Sequence, residues 1–329
     1  TIQLALLQTK RQPGRYSFLT FLRFVVMYGL SVWFLLRGDS VFGVMLAQLI
    51  GYMLAIVFGF VFNRRDVTFT GSSELARKML LFGAPLVVGS VNMWLLSSSD
   101  RFFLLRLSTL ENLGLYSLGS RFASIVQFAV LAFQLAWPQF AFSTAQQFGV
   151  AHVQSRILTY YLFVAIPLVL AVTLFTPEML AVLATAQYAG AASVVFLLSC
   201  SFLMHGCYSV FGIILSHTKQ TLSILTITIP PLVVSIILNS LLVPRLGGTG
   251  SAIASACSYT LMAVLTFVFT NRLISVRYEW KRIAIMLLGA AVIVGLNAFL
   301  HVESYWIGAL IKVFFLLLYV GLLALMGFF

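Results

Sequence analysis

Long apolar runs separated by short polar stretches constrain this chain more than any other feature. Each run is about 20 residues long, which is the length of helix that crosses a bilayer. Lipid cannot hydrogen-bond to the backbone, so a crossing segment of this kind must be helical. The ten predicted spans are residues 18–36, 41–62, 77–98, 113–136, 157–176, 189–215, 222–243, 248–270, 283–300 and 305–327. Residues 1–9 resemble the tail of a further span. We therefore predict an all-α polytopic membrane protein.

Composition supports this class and excludes others. Hydrophobic residues make up 61% of the chain and charged residues 9%, whereas charged residues are about 25% of an ordinary soluble domain. A net charge of +12 would suggest a nucleic-acid partner in a soluble protein, but here the basic residues lie in short loops between spans. The three cysteines, Cys200, Cys207 and Cys257, lie within apolar runs and lack metal-binding spacing. We predict no nucleic-acid partner, no metal site and no cofactor.

The basic residues are divided unequally between alternate loops. The larger set comprises Lys10, Arg11, Arg15, Arg23, Arg64, Arg65, Arg77, Lys78, Arg156, Lys219, Arg272, Arg277, Lys281 and Arg282. The smaller set comprises Arg37, Arg101, Arg106 and Arg245. Cytoplasmic loops carry the excess of Lys and Arg, so the larger set is predicted to be cytoplasmic and the C-terminus to lie inside. The longest predicted loops, 63–76 and 137–156, are too short to fold as separate domains.

An internal repeat indicates how the spans are organised. Gly43, Ala47 and Tyr52 correspond to Gly250, Ala254 and Tyr259 at an offset of 207 residues, and Asn63–Arg64 to Asn271–Arg272 at 208. Small residues recur every four positions in both copies, which suits close helix packing. Both copies start from a cytoplasmic loop, so they are parallel repeats of six spans.

The repeat predicts two pseudo-symmetric six-helix lobes followed by two additional helices. The predicted boundaries are 1–65 for the last two spans of the first lobe, 66–282 for the second lobe and 283–329 for the additional spans. The chain starts at Thr1 rather than Met, and the first lobe is incomplete. By the repeat length, about 130 residues and four spans would precede the chain, for fourteen spans in all.

The candidate binding residues lie mainly on the span 113–136. Ser117, Ser120, Arg121, Ser124 and Gln127 fall within a stripe about 120° wide on a helix of 3.6 residues per turn. A polar stripe on an apolar span is expected to face protein or water. The planar fork of Arg121 suits an anionic group such as phosphate. The alternatives are an arginine that extends to the interface or pairs with a structural acid.

A charged pair, Asp100 and Arg101, follows the span 77–98 on the predicted outer side. It is a candidate outer gate, and Asp100 is also a candidate proton-sensitive carboxylate. The alternative is that both residues cap helix ends at the interface.

The span 77–98 itself carries residues that soften a helix. Gly83, Pro85 and Gly89 form a candidate hinge, because proline removes a backbone hydrogen bond and bends the helix. Asn92 and Trp94 lie in its outer half. They are candidate glycan contacts, by hydrogen bonding and ring stacking, although a tryptophan near a span end is often an interface anchor.

No catalytic motif or nucleotide-binding loop is present, and two lobes suggest a transporter rather than an enzyme. Transport would then be driven by the membrane potential or by an H⁺ or Na⁺ gradient. A multidrug antiporter would need acidic cavity residues for cations, and these spans offer few. A membrane polysaccharide polymerase or ligase would need a longer outer loop. The antiporter and the polymerase or ligase are the alternative hypotheses.

Two stretches carry a resemblance to a known family. "GAPLVVGSVNMWLLSSSDRFFL" at 83–104 and "LENLGLYSLGSRFASIVQFAVLAFQLAWPQFAFS" at 110–143 resemble the polysaccharide flippases of the multidrug/oligosaccharidyl-lipid/polysaccharide superfamily, especially the Wzx-like exporters of O-antigen and exopolysaccharide. The resemblance implies fourteen spans, a cationic central cavity and alternating access in a bacterial inner membrane. It implies a substrate with undecaprenyl diphosphate linked to a glycan, with the diphosphate at Arg121. Polysaccharide polymerase and chain-length proteins are implied as possible partners.

Overall fold

The computed structural model describes residues 7, 13–38, 41–64, 72–148, 150–183, 190–217, 223–299 and 305–325. Within these ranges the chain forms helices and no strands, so the all-α prediction is confirmed. The helices are α1 (Pro13–Leu36), α2 (Val41–Asn63), α3 (Ser73–Leu107), α4 (Leu110–Phe148), α5 (Val150–Leu174), α6 (Thr176–Leu183), α7 (Ala191–His217), α8 (Ser223–Leu273), α9 (Trp280–Phe299) and α10 (Tyr305–Leu325).

Eight helices of the described ranges are long and apolar enough to cross a membrane, and α10 carries a shorter apolar stretch, Gly308–Ala324. The protein is therefore a multi-pass membrane protein. The predicted spans fall on these helices, and two of them share α8. The predicted stub at residues 1–9 lies outside the described residues, apart from Leu7.

Two predicted loop regions are helical. α3 continues to Leu107, and α4 continues to Phe148, two residues before α5 begins at Val150. Asp100 and Arg101 therefore lie inside a helix rather than beyond its end. The prediction of a loop over 137–156 is wrong, because residues 137–148 and 150–156 are helical. Hydropathy marks where a helix leaves lipid, whereas backbone hydrogen bonding can continue past that point into polar sequence.

α8 consists of two helical segments, 223–246 and 248–273, because Gly247 between them has φ 54° and ψ −130°. This backbone conformation is essentially restricted to glycine. A Cβ at Gly247 would also lie 2.7 Å from the side chain of Asn112. The break matches the division between the predicted spans 222–243 and 248–270.

The chain divides into two compact units, Thr1–Arg77 and Lys78–Phe329. The first contains the α1–α2 pair. α2 buries a stripe of small residues and one asparagine: Gly43, Ala47, Gly51, Ala55, Gly59 and Asn63. A Cβ at Gly51 would lie 3.1 Å from the Cβ of Met27 on α1, so the glycine allows the two backbones to approach closely.

The second unit is built around α7, which packs against α4, α5 and α8, while α5 also packs against α9 and α10. The hydroxyl of Thr159 donates to Glu279 at 2.7 Å, beside the start of α9. Lys312 of α10 pairs with Glu178 of α6 at 2.5 Å. The predicted boundaries at 65/66 and 282/283 stay predictions.

α8 buries a second stripe, at Gly250, Ala254, Ser258, Met262, Thr266 and Thr270. Each of these residues lies 207 positions after a member of the α2 stripe, which is the offset of the predicted repeat.

A glycine in α7 provides a stability prediction. A Cβ at Gly206 would lie 1.8 Å from the hydroxyl oxygen of Tyr161, which donates to the Leu203 carbonyl at 2.8 Å. Gly206→Ala should therefore displace a buried ring and destabilise the protein by about 1–3 kcal/mol, as overpacking generally does. Thermal unfolding in detergent measures the effect. Gly212→Ala is the matched control, because nothing lies within 4 Å of a Cβ there. Equal stability of the two variants would contradict the predicted steric conflict.

Candidate functional site

The polar stripe of α4 is compatible with a membrane helix because its hydroxyls bond to the helix backbone. Ser120 donates to the Ser117 carbonyl at 2.9 Å, and Ser124 donates to the Arg121 carbonyl at 2.5 Å. Such bonds satisfy the hydroxyl protons without a partner on another helix. The hydroxyl oxygens keep lone pairs that can accept from a ligand.

Four residues of this stripe line one wall of a cavity of about 390 Å³ in the second unit, which lies between α3, α4, α7 and α8 and is open on one side. The lining is dominated by hydroxyl groups and contains two arginines and one acid. The lining residues are Ser97, Ser98, Asp100, Arg101, Tyr116, Ser120, Arg121, Ser124, Gln127, Leu198, Ser201, Phe202, Ser255 and Tyr259.

The structure brings together six of the residues that the sequence singled out. They all line the cavity: Asp100, Arg101, Ser120, Arg121, Ser124 and Gln127. Asp100 and Arg101 of α3, which were predicted as an outer gate, thus line the same cavity as the predicted binding residues of α4.

Three candidate binding residues lie elsewhere. Ser117 is not among the cavity residues, although its carbonyl accepts from Ser120. Asn92 is buried and donates to Thr228 of α8 at 3.2 Å. The side chain of Trp94 is 65% exposed on the surface of the unit, as expected for a residue that faces lipid or the interface.

Sequence reasoning did not identify Tyr116, Ser255 and Tyr259 as site residues. Tyr116 lies four residues before Ser120, so helical periodicity alone could have added it to the α4 stripe. Ser255 and Tyr259 are likewise four residues apart on α8. Their proximity to α4 depends on tertiary packing, which the sequence pattern does not show.

Asp100 is a buried carboxylate on the cavity wall, 7% exposed. Its Oδ2 accepts from the hydroxyl of Tyr116 and from the hydroxyl of Ser255 at 2.9 Å. Its Oδ1 is buried and accepts no hydrogen bond from the described residues. Three helices therefore meet at this one side chain.

Polar contacts continue from Asp100 along the surface between α3 and α8. Ser99 and Ser235 lie within hydrogen-bond distance at 3.4 Å, seven residues beyond the Asn92–Thr228 pair on both helices. The two rungs advance together along the chain, so α3 and the segment 223–246 run parallel. Asn239, the next polar residue on that segment, accepts from Ser251 at 2.7 Å.

The cavity has an excess of positive charge. Arg101 and Arg121 are both exposed, and across the described ranges neither has a carboxylate within 4.0 Å. Asp100 is the acid among the lining residues. An anion would therefore be attracted to the site. Within the part of the chain that the structure describes, no three His, Cys, Asp or Glu residues cluster as metal ligands would.

A family model described as "Polysaccharide biosynthesis protein" matches residues 1–193, which include α3, α4 and both cavity arginines. The chain belongs to this family. The polysaccharide-flippase resemblance predicted from the sequence is confirmed at this level.

A curated relative agrees with the assignment to polysaccharide biosynthesis. The chain is 22% identical over 243 residues to a protein of Haloferax volcanii named "Probable low-salt glycan biosynthesis flippase Agl15". The match covers 70% of this chain and 52% of the relative. The chain thus spans about half the length of the curated relative that it matches.

Proposed function

We propose that this member of the polysaccharide biosynthesis family is a flippase, a transporter rather than an enzyme, which moves a lipid-linked glycan across the membrane. The observation that carries the proposal is the cavity in which Arg101 and Arg121 lie among hydroxyl groups. Diphosphate needs cationic donors, and sugars need hydroxyl and amide partners. The name of the Haloferax volcanii relative supports the same function.

The proposed substrate is a glycan linked to undecaprenyl diphosphate. Arg121 binds the diphosphate through its planar fork, and Arg101 adds a second positive charge from α3. Ser124 and Gln127 bind phosphate oxygens or sugar hydroxyls from the same face of α4. The proposed contacts include only residues that line the cavity, so Ser117, Asn92 and Trp94 are left out.

Transport by alternating access requires an element that changes shape, and α3 is the proposed one. Pro85 lies inside this helix and removes one backbone hydrogen bond. A Cβ at Gly83 would meet nothing within 4 Å, whereas one at Gly89 would lie 2.7 Å from Ile224. We therefore assign the bend to Gly83 and Pro85, and close packing against α8 to Gly89.

Asp100 is the proposed coupling residue. A buried carboxylate within the membrane is costly and marks ion or proton pathways in transporters. Its position on the cavity wall would let H⁺ or Na⁺ binding change the charge that the diphosphate meets. The proposed location is a bacterial inner membrane, where the glycan would pass on to polymerase and chain-length proteins.

Reconstitution in liposomes tests the proposed function. The protein of the complete reading frame is incorporated into liposomes with a polyprenyl-diphosphate-linked oligosaccharide, and the glycan that reaches the opposite leaflet is measured with a membrane-impermeant glycosidase. We expect protein-dependent translocation of the glycolipid and none of a cationic dye. Transport of the dye without the glycolipid would instead support the multidrug antiporter.

A further inference from the structure

His205 is an ionisable residue near the middle of α7 that the proposed function does not use. It follows Ala191, the first residue of this helix, and precedes His217, the last, and it lies roughly 20 Å from each at 1.5 Å per residue. An ionisable residue at such a depth is costly and marks ion or proton pathways in transporters. Its side chain is half-buried, and no carboxylate of the described residues lies within 4.0 Å of its ring. A structural ion pair therefore does not account for it.

His205 lies on the face of α7 that lines the cavity. The cavity residues of this helix are Leu198, Ser201 and Phe202. On a helix of 3.6 residues per turn their directions span about 100°, and His205 falls inside that range, one turn after Ser201. The imidazole therefore continues the cavity wall towards the end of α7 that the charge pattern predicts to be cytoplasmic.

Two tyrosines pack against the imidazole of His205. Its ring centroid lies 5.3 Å from that of Tyr259, a cavity residue of α8. It lies 6.0 Å from that of Tyr208, with an angle of 10° between the two ring planes. Tyr259 is one turn after Ser255, whose hydroxyl donates to Asp100 at 2.9 Å. A continuous series of neighbours therefore leads from the buried carboxylate through Ser255 and Tyr259 to the imidazole.

Polar side chains continue beyond His205 in the same direction. Ser209, one turn farther along α7, donates to the His205 carbonyl at 3.3 Å. Its hydroxyl accepts from Gln134 of α4 at 2.6 Å. Gln134 lies on the cavity face of α4, because it is two helical turns after Gln127. The polar stripes of α4 and α7 therefore both extend past the cavity and meet at this hydrogen bond.

The chemistry of the imidazole distinguishes between the two candidate coupling ions. Imidazole accepts and releases protons near neutral pH and acts as a proton shuttle, whereas a hard cation such as Na⁺ prefers oxygen ligands. The other titratable and charged groups around it lie on α7 itself, on α5, and along the cavity on α3, α4 and α8. They are Cys207, Tyr208, Tyr161, Asp100, Arg101, Tyr116, Arg121 and Tyr259.

We propose that His205 is a proton carrier that connects Asp100 with the predicted cytoplasmic side, so that the coupling ion is H⁺ rather than Na⁺. This inference rests on the proposed function. One ring nitrogen accepts a proton from the side of Asp100 while the other releases a proton towards Ser209 and Gln134. The ring thus returns to its neutral form, and the number of protons is conserved. Water carries the proton over steps longer than a hydrogen bond, and Tyr259 is a positioning residue that orients the ring.

The test compares His205→Gln with His152→Gln in the protein of the complete reading frame. His152 is a matched control, because it is an exposed histidine near the start of α5. Liposomes contain a polyprenyl-diphosphate-linked oligosaccharide and an internal pH-sensitive dye, and K⁺ with valinomycin holds the membrane potential at zero. Glycolipid translocation and proton movement are measured with and without a pH gradient.

A pH gradient should accelerate translocation by the unmodified protein and by His152→Gln. One pH unit corresponds to about 1.4 kcal/mol per proton, which sets a limit of about tenfold on the acceleration. His205→Gln should still move glycolipid without a gradient, but the acceleration and the proton movement that accompanies translocation should be lost, because the amide does not titrate.

Several outcomes would overturn the inference. If His205→Gln is slower but keeps the same acceleration by the pH gradient, His205 is structural and the proposed function stands. The same holds if a Na⁺ gradient accelerates the unmodified protein and a pH gradient does not. An unmodified protein that moves no glycolipid would contradict both proposals. If His205→Gln does not fold, Tyr259→Phe replaces it, since it removes one hydroxyl and keeps the ring, and an unchanged response to the pH gradient would then contradict the proposed path.

Discussion

Replacing Arg121 with glutamine is expected to lower the translocation of a lipid-linked glycan by roughly 10- to 100-fold. A hydrogen bond to a charged group contributes about 1.5–3 kcal/mol, and each 1.4 kcal/mol corresponds to about a tenfold change. Glutamine keeps an N–H donor at similar reach but loses the charge and the planar fork. The measurement is the initial rate of translocation as a function of glycolipid concentration, and the half-saturating concentration should rise.

Two further substitutions make this result specific to the cavity. Arg106→Gln is the matched control, because Arg106 is an exposed arginine of α3, with its Cζ 5.9 Å from the Phe102 ring centroid, and does not line the cavity. We expect it to transport at nearly the unmodified rate. Arg121→Lys retains the charge without the bidentate geometry and should be intermediate. A folded Arg121→Gln protein with a normal rate would leave Arg121 as a structural or interfacial charge.

The sequence predicts the number and place of the spans well but their ends poorly. Apolar length is a direct requirement of the bilayer, so the long helices could be located by hydropathy, whereas the eight-residue α6 was not predicted. Helices that leave the lipid do not have to end there. Hydropathy therefore does not predict the last turns of α3 and α4, and this is why Asp100 and Arg101 were placed outside a helix.

The candidate site shows a similar division. Helical periodicity on one span was enough to group Arg121, Ser124 and Gln127, since residues on one face need no tertiary information. Closeness in sequence to Asp100 was a weaker indication that a residue lines the cavity. Trp94 lies only six residues before Asp100, yet six residues correspond to a rotation of about 240°, and the ring is exposed. Ser255 joins Asp100 across 155 residues, which only the folded structure shows.

Asp100→Asn is expected to remove the dependence of transport on an ion gradient while the protein stays folded. The amide retains an oxygen that can accept from Tyr116 and Ser255, but it cannot release a proton or bind Na⁺ as a carboxylate does. Transport is measured with an imposed H⁺ gradient and, separately, with an imposed Na⁺ gradient. The gradient that accelerates the unmodified protein should have no effect on the variant.

Asp100→Leu is the contrasting variant. It leaves the hydroxyls of Tyr116 and Ser255 without their acceptor, so it should lower stability by about 1–3 kcal/mol for each buried group that stays unpaired. Thermal unfolding in detergent distinguishes this loss from the coupling defect of Asp100→Asn. If Asp100→Asn keeps its gradient dependence but exposes the cavity to impermeant reagents from outside, Asp100 acts as an outer gate. The hydrogen bonds that join α3, α4 and α8 at this carboxylate would then hold the gate closed rather than sense an ion.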